Sequence, residues 1–443
     1  MKKPELLAPA GVFECLISAI SAGADAVYFG IQFINMRSSS ARNFTIEELQ
    51  TVMKKLHDNK IKGYITLNTV LYDHELEKVE RILNEVKKSK VDAVIASDMS
   101  VVQMCNDKDI EVHISTQASI ANYQAVKFFS KFSPRIVLAR ECTLDQIKEM
   151  KRKIDEENLN FKGRTIELET FIHGSLCVAY SGRCFMSQYH NRLSANRGQC
   201  LQECRKKYKI TDIEDPRREF LIGEDYILSP KDLCALPILD QLIKSGIAVF
   251  KIEGRAKGPE YIYNVTKAYK EAINLVEKNK FTEKEATRLV GELDKVFNRG
   301  FSTNFLLGTP TNDSWTKFYG SNAKERKLKI GEVTNYYVKD KVVSILIDQN
   351  EIEEGDEVVF TGPTTGYYKI KAEGIRVKDK QVTKAKKGDE VTFKAKERLR
   401  TTDTMYKVEK RNTNKEEENI IQQYEKIGIH KPFKFTKKDK GMT

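Results

Sequence analysis

The sequence contains little of what marks a membrane or secreted protein. It has no uninterrupted run of about 18 apolar residues, the length that a membrane-spanning helix requires. Its first residues, MKKPELLAPAGVFE, place a proline and a glutamate where a signal peptide needs an apolar run. We therefore expect a cytoplasmic protein with no membrane partner, in a compartment that keeps thiols reduced.

Several familiar site motifs are also absent. No G-x-G-x-x-G or G-x-x-x-x-G-K-[ST] loop occurs in the chain, which disfavours a doubly wound nucleotide-binding sheet. Neither H-E-x-x-H nor G-x-S-x-G occurs, so a hydrolytic site would lack its usual signatures. A peptidase therefore remains an alternative without a motif to support it.

Short runs typical of buried strands alternate with amphipathic helical stretches over the first 255 residues, which predicts parallel strands with crossover helices. The count favours a (β/α)8 barrel of the TIM-barrel type over an open sheet. A long interval before the last strand indicates an insertion at the C-terminal end of strand seven, on the face where such barrels carry their chemistry. The eight predicted strands are residues 5–11, 26–30, 64–68, 93–97, 111–116, 135–140, 166–173 and 249–255.

The pattern changes near residue 322. From there to residue 410, strand-like alternation is interrupted by turns such as EEGDE and GPTTG, which predicts a small all-β barrel domain. The expected organisation is a barrel domain over 1–321 with its insertion at about 174–235, the β-domain over 322–410, and a charged flexible tail over 411–443.

The net charge of +12 indicates an anionic partner or a lysine-rich surface. From Ser321 onward there are 28 basic and 21 acidic residues. Either these lysines and arginines are only solvated, or they form an electrostatic footprint for RNA phosphates.

Cysteines provide the strongest local signal. Four of the eight lie between Cys177 and Cys204, in the order Cys-x6-Cys-x15-Cys-x3-Cys, and Cys234 follows in the segment SPKDLC. In a reducing compartment such density indicates metal or iron–sulfur ligation, not a disulfide framework. The spacing matches neither zinc ribbons nor ferredoxins, so it does not distinguish zinc from iron–sulfur. Three scattered cysteines are expected to be structural: Cys15, Cys105 and Cys142.

The residues around this cluster resemble a known family. ETFIHGSLC (169–177) followed by GRCFMS (182–187) is similar to the signature of the collagenase-like peptidase family U32. The resemblance extends over essentially the whole chain, through motifs such as PELLAPAG, GADAVYFG, STQASIANYQ, LSPKDLC and FKIEGRAKGPEYI.

The resemblance implies an oxygen-independent hydroxylase, since the best-understood members of this family modify RNA or ring carbons of ubiquinone precursors. The C-terminal β-domain and the segment GQCLQECRKKY are most similar to the branch that forms 5-hydroxyuridine at the wobble position of tRNA, with prephenate as the implied hydroxyl source. The expected partners are therefore the anticodon arm of tRNA and a small dicarboxylate donor. A collagenase-like protease, or a hydroxylase acting on rRNA or a small aromatic compound, remains the alternative.

An iron–sulfur cluster, expected to be 4Fe-4S, is held by four cysteines in this family. The resemblance carries three ligands over as Cys177, Cys184 and Cys200. For the fourth ligand both Cys204 and Cys234 are available, and Cys234 is preferred because it would tie the insertion to the barrel.

The candidate catalytic residues are Glu169, His173, Arg140 and Arg255, at or near the ends of strands six to eight. Guanidinium groups bind carboxylates in a bidentate manner, so Arg140 or Arg255 is expected to contact the anionic donor or an RNA phosphate. For each arginine the alternative is an ion pair inside the barrel. Thr116, Gln117 and Asn122 are candidates for reading a pyrimidine edge, although Asn122 is equally suited to cap a helix.

Overall fold

The computed structural model describes residues 3–32, 34–39, 41–206, 208–222, 228–316 and 320–411. The tail predicted over 411–443 lies outside the described residues from 412 onward. Among the described helices, none combines the length and the apolar character that crossing a bilayer requires.

Eight parallel strands close into a barrel, which confirms the predicted (β/α)8 architecture. The pairing order is 8-1-2-3-4-5-6-7, and strand seven also pairs with strand eight, for example through Val249 and Glu169. All eight predicted strands are present, although most are shorter than the apolar runs indicated. The barrel strands, numbered 1 to 8 in chain order, are Glu5–Ala10, Ala26–Gly30, Lys62–Leu67, Ala93–Ala96, Val112–Ile114, Arg135–Val137, Glu167–Gly174 and Val249–Ile252.

Helices surround the barrel and bury their apolar faces against it. In α6, for instance, Thr143 and Gln146 form a capping box at the N-terminus, and Ile147 and Ile154 face the core. The helices α1 to α10 are Phe13–Ser21, Leu49–Asp58, Leu76–Lys88, Met99–Asp107, Tyr123–Phe129, Leu144–Glu156, Met186–Asn191, Leu239–Lys244, Pro259–Glu277 and Glu283–Leu293.

Charged side chains are paired inside the barrel. Arg135 donates to Glu5 Oε1 at 2.7 Å and to Glu167 Oε2 at 2.8 Å, and Lys251 donates to Glu169 Oε1 at 2.7 Å. Because an unpaired buried charge is costly, these pairs make the polar interior compatible with folding. A buried ion-pair network is one of the two roles that the sequence analysis gives to charged residues of the strands, and these pairs form such a network.

The long connection between strands seven and eight contains the cysteine-rich insertion. Its described residues include α7, three short 3-10 turns and an antiparallel pair formed by Tyr208–Thr211 and Glu219–Ile222. It ends in the strand Asp232–Cys234, which pairs antiparallel with strand seven and parallel with Phe301–Ser302. The insertion is thereby fastened to the C-terminal end of the barrel. A further small pair joins Asn160–Phe161 to Arg164–Thr165.

The region that follows is all-β, as predicted; its described strands form an eight-stranded antiparallel sheet where a small barrel was expected, and a two-stranded pair joins Glu351–Glu353 to Lys384–Lys386. Both share one apolar core that includes Ile345, Phe360 and Phe393. The strands of the sheet are Glu325–Tyr337, Val342–Ile347, Glu357–Gly362, Gly366–Lys371, Arg376–Val377, Lys380–Gln381, Glu390–Lys394 and Thr404–Lys410.

This sheet packs against the outside of the barrel, beside α1 and α9. The rings of Tyr263 and Tyr367 lie 5.0 Å apart, and Lys327 forms an ion pair of 2.8 Å with Glu260. Gly366 has a φ of +69°, and a Cβ there would lie 2.9 Å from the Ile17 side chain. The close approach of the sheet to α1 therefore requires glycine at this position.

Two glycine-to-alanine substitutions are expected to have opposite effects on stability. In Gly331→Ala the new Cβ would collide with the carbonyl oxygen of Leu346 on the neighbouring strand. We expect the free energy of unfolding to fall by about 1–3 kcal/mol. Gly291→Ala, on an exposed part of α10 with open space around it, should raise it by about 0.5–1 kcal/mol. Urea unfolding followed by circular dichroism measures both, and a neutral Gly331→Ala would contradict the described strand contact.

Candidate functional site

A cavity of about 450 Å³ opens at the C-terminal end of the barrel. Its wall combines residues at or just after the strand ends, such as Thr66 and Arg140, with residues of the insertion, such as Cys177 and Cys200. The volume falls within the range of small-molecule sites. The cavity therefore lies on the face where barrels of this type place their chemistry.

Four cysteines of the insertion line this cavity together: Cys177, Cys184, Cys200 and Cys204. Each is partly buried and none forms a disulfide. Burial raises the pKa of Cys204 to about 11 and raises that of Cys177, while a nearby guanidinium, Arg205 or Arg140 respectively, acts in the opposite direction. The four thiols lie close enough to influence one another electrostatically.

Cys234 lies apart from this group. It is 2 % exposed, stands opposite His173 in the strand that pairs with barrel strand seven, and lies 3.8 Å from the donating hydroxyl of Tyr269. It does not belong to the cavity wall. The sequence preference for Cys234 over Cys204 as a ligand is therefore not supported by the arrangement, which groups Cys204 with the other three.

The cysteine group supplies a donor set that consists of thiols. Among the described residues, no three His, Cys, Asp or Glu side chains lie in an arrangement that would hold a metal ion as it stands. Four thiols nevertheless line one cavity, and thiolates are the ligands of structural zinc sites and of iron–sulfur clusters. The chemistry of this donor set is compatible with either group, including the iron–sulfur cluster that the resemblance implies.

The cavity wall is strongly cationic. Among the described residues, two carboxylates line it, Glu203 and Glu253, and Glu253 is paired with Arg37 at 3.1 Å. Because cationic side chains outnumber carboxylates in this wall, its electrostatic potential favours an anionic occupant. The cationic side chains of the wall are Arg37, Arg140, Arg205, Lys251, Arg255, Lys257 and Arg299.

Four of these cations have no carboxylate within ion-pair distance among the described residues: Arg140, Arg205, Arg255 and Lys257. Arg255 is 6 % exposed and donates to Asn35 Oδ1 at 3.0 Å and to Thr66 Oγ1 at 2.7 Å. Burial lowers its pKa to about 10. A guanidinium held only by neutral acceptors keeps its charge available for a ligand.

Two further arginines are held in the same manner. Arg140 donates to Ser175 O at 2.7 Å and stacks on the ring of Phe171 at 4.0 Å. Arg205 donates to the carbonyl oxygens of Leu176 and Pro230 at 2.6 and 2.7 Å. Each guanidinium is thereby fixed in orientation without being neutralised. Arg140 was a candidate from the sequence, whereas Arg205 and Arg299 were not, because each looks like an ordinary surface charge in the sequence.

Glu169 and His173 do not reach the cavity wall. Glu169 is fully buried within the barrel, where it accepts from Lys251. His173 packs against the rings of Tyr261, Tyr269 and Phe301, and burial lowers its pKa to about 3. A neutral imidazole enclosed by aromatic rings is a core residue. The structure therefore separates Glu169 and His173 from Arg140 and Arg255, the two candidates that do line the cavity.

Of the three candidate residues that follow strand five, two line the cavity and one does not. Thr116 and Gln117 line the cavity, and the side-chain oxygen of Gln117 accepts from Asn68 Nδ2 at 3.0 Å. Asn122 instead caps α5 by accepting from the backbone of Ala125 at 3.0 Å. Of the two roles considered for Asn122, the structure therefore shows helix capping and not contact with the cavity. Asn68, which the sequence reasoning missed, completes this polar side of the wall.

Comparison with known proteins places these residues in a wider context. Residues 11–316 match the family profile described as Peptidase family U32. A Porphyromonas gingivalis protein named Collagenase is 41 % identical over 92 % of this chain and 98 % of its own length. The Bacillus subtilis tRNA hydroxylation protein P1 is 37 % identical, over 82 % of this chain and 84 % of its own length. An Escherichia coli 23S rRNA 5-hydroxycytidine synthase is 34 % identical, over 70 % of this chain and 46 % of its own length.

Lys257 should make stability depend on pH. Its ammonium lies 3.1 Å from the centroid of the Phe297 ring, and burial lowers its pKa to about 8, against about 10.4 in an unfolded chain. The penalty of burying the charge is fully present below about pH 8 and is relieved as the pH rises towards about 10.4, although the ring offsets part of it.

Lys257→Met removes this buried charge while keeping an unbranched side chain. At pH 7 we expect the variant to be more stable than the parent by about 1–3 kcal/mol, with the difference shrinking at pH 9.5. Urea titrations of both proteins at the two pH values measure this difference. A difference that grows with pH would contradict the assigned environment of Lys257.

Proposed function

The chain belongs to peptidase family U32, and we propose that it is an iron–sulfur tRNA hydroxylase that forms 5-hydroxyuridine at the wobble position without dioxygen. One observation carries this proposal. Four cysteine thiols line a single cavity at the C-terminal end of the barrel, together with four cations that form no ion pair with a described carboxylate. The names of the relatives from Bacillus subtilis and Escherichia coli support RNA hydroxylation as the chemistry.

The proposed cofactor is a cluster of the 4Fe-4S type, held by Cys177, Cys184, Cys200 and Cys204. When bound, it would supply redox or Lewis-acid chemistry beside the substrate. The guanidinium groups of Arg140 and Arg205 lie near Cys177 and Cys204 and favour their thiolate forms. These two arginines therefore also stabilise the ligand set in its metal-binding state.

The proposed hydroxyl donor is a dicarboxylate, with prephenate the compound implied by the resemblance. A small dianion would bring two carboxylates into a wall that has unpaired guanidinium groups in Arg140, Arg205 and Arg255. Charge-assisted bonds from buried arginines are the strong ones, because little water competes for them. The chain's own contribution is thus to bind and orient this anion against the base.

The target uridine is proposed to enter the cavity in an extruded conformation, as other base-modifying enzymes require. The side-chain amides of Gln117 and Asn68 line the cavity, where Asn68 Nδ2 donates to Gln117 Oε1 at 3.0 Å and Asn68 Oδ1 accepts from the backbone N–H of Met36 at 3.4 Å. Either amide can exchange its present hydrogen bonds for hydrogen bonds to the edge of a pyrimidine base. The C-terminal sheet and the basic residues beyond it remain proposed contacts for the anticodon arm.

A peptidase is the second candidate, favoured by the collagenase names among the relatives. A serine or cysteine hydrolase needs a base within hydrogen-bond reach of its nucleophile. Among the described residues that line the cavity there is no histidine, since His113 and His173 are buried elsewhere. Hydrolysis of a fluorogenic collagen peptide, lost on substitution of a cavity residue, would be the result that favours this candidate.

The ligand set is tested by alanine variants of single cysteines. In protein purified without air, Cys204→Ala should lose most of the bound iron and sulfide, because it removes one of four ligands. Cys234→Ala is the matched control and should keep the content of the parent protein. Iron and acid-labile sulfide analysis measures both. The reverse outcome would contradict the set, and full retention in Cys177→Ala would contradict the cluster.

The substrate is tested by nucleoside mass spectrometry. In a strain that lacks the gene, tRNA should lose 5-hydroxyuridine and its derivatives, and the parent gene should restore them. A gene encoding Cys177→Ala should not. Unchanged tRNA together with the loss of 5-hydroxycytidine from 23S rRNA would contradict the tRNA assignment and favour the rRNA alternative.

A further inference from the structure

Large aromatic side chains are exposed on the insertion beside the cavity. Tyr180 is 51 %, Phe185 is 57 % and Tyr189 is 84 % exposed. Phe185 immediately precedes α7 and Tyr189 lies one turn along it, with their ring centroids 6.3 Å apart. Three rings exposed within ten residues are unusual on a soluble surface, because such surfaces usually mark interactions.

The exposed rings are next in sequence to residues that line the cavity. Cys184 and Met186, which flank Phe185, both line the cavity, and so do Ser181 and Gly182, which follow Tyr180. The exposed aromatic face therefore lies beside residues of the cavity wall, and we call this part of the insertion the rim. Its rings contribute nothing to the wall of the cavity itself.

The rim is also cationic. Residues 175–206 contain five lysines and arginines and a single carboxylate, Glu203. Arg183 and Arg192 are exposed, and within the described ranges neither has an acidic partner at ion-pair distance. Exposed rings with unpaired arginines between them match the composition of surfaces that bind single-stranded nucleic acid, where bases stack and phosphates pair with cations.

The rim is held in place by contacts with the barrel. Arg183 donates to Gln117 O at 2.7 Å, so one end of the rim is tied to the cavity wall. Arg197 donates to Val70 O at 2.8 Å and forms an ion pair with Glu75 at 2.6 Å. A surface fixed before binding loses less entropy when a partner stacks on it.

We propose that Phe185 and Tyr189, flanked by Arg183 and Arg192, form a stacking platform for the unpaired nucleotides beside the modified base. This inference rests on the proposed function, since it assigns an RNA loop to the same cavity. Stacking supplies about 1–3 kcal/mol per base and tolerates different sequences. The platform therefore explains how a loop is held while one of its bases enters the cavity.

The test measures equilibrium binding of the full chain to two fluorescent probes, an anticodon stem–loop RNA and a fully paired RNA duplex. The double variant Phe185→Ala/Tyr189→Ala should bind the stem–loop about 10- to 100-fold more weakly, as expected for the loss of one or two stacked bases. Its affinity for the duplex should stay unchanged. Phe185→Trp keeps a stacking face and should bind as the parent does.

Phe128→Ala is the matched control, because Phe128 is 51 % exposed but lies on α5 outside the insertion. It should leave stem–loop binding unchanged. Arg192→Gln should reduce the slope of log affinity against log salt by about 0.7, the value for one phosphate contact on a single strand.

Two outcomes would overturn the platform. If the double variant binds the stem–loop as tightly as the parent does, stacking is excluded. If modification in cells is nevertheless lost in that variant, the exposed rings bind a protein partner instead. Equal weakening for stem–loop and duplex would exclude a role specific to unpaired bases. A failure of the proposed function is distinguishable, because nucleoside analysis would then be normal in the deletion strain whatever the binding results.

Discussion

Positive charge withdrawn from water without an ion-pair partner is costly, and the mouth of this barrel collects four such groups among its described residues, one buried and three half-buried. Arg140, Arg205, Arg255 and Lys257 meet in one cavity wall, and each is held by neutral acceptors or by an aromatic ring. Deeper in the barrel the same kind of side chain is paired, as Arg135 is with Glu5 and Glu167. Glu253 and Asp232 offset part of the cost at the mouth through the field they exert on Arg255 and Lys257, and a bound anion would offset more of it, so the wall favours an anionic occupant.

Most of the fold follows from patterns that the sequence carries locally. Eight apolar runs separated by amphipathic stretches predict the barrel, because strands buried on both faces need continuous apolar residues. The turns after residue 322 predict the antiparallel sheet in the same way. The position of that sheet against the barrel could not be predicted from these local patterns. It packs beside α1 and α9 through contacts such as Tyr263 with Tyr367, which depend on residues more than a hundred positions apart.

The site could be predicted only in part. Density and resemblance identified Cys177, Cys184 and Cys200, but spacing does not reveal which side of a strand a residue occupies. Cys234 lies on a strand that pairs with barrel strand seven, and its thiol lies near Tyr269 instead of the cavity. His173 likewise lies away from the cavity wall, against the rings of Tyr261, Tyr269 and Phe301, which spacing along the chain does not reveal. Arg205 was missed because nothing in its neighbourhood distinguishes it from a solvated arginine.

In the proposed function, the cysteine group and the arginines of the wall serve one cavity. Electron paramagnetic resonance of the reduced, anaerobically purified protein tests this arrangement. Titration with prephenate should change the spectrum of the proposed cluster in a saturable manner, and Arg255→Gln should shift that titration to higher concentrations. A spectrum that stays unchanged while calorimetry records prephenate binding would contradict the arrangement, because cluster and anion would then occupy separate sites.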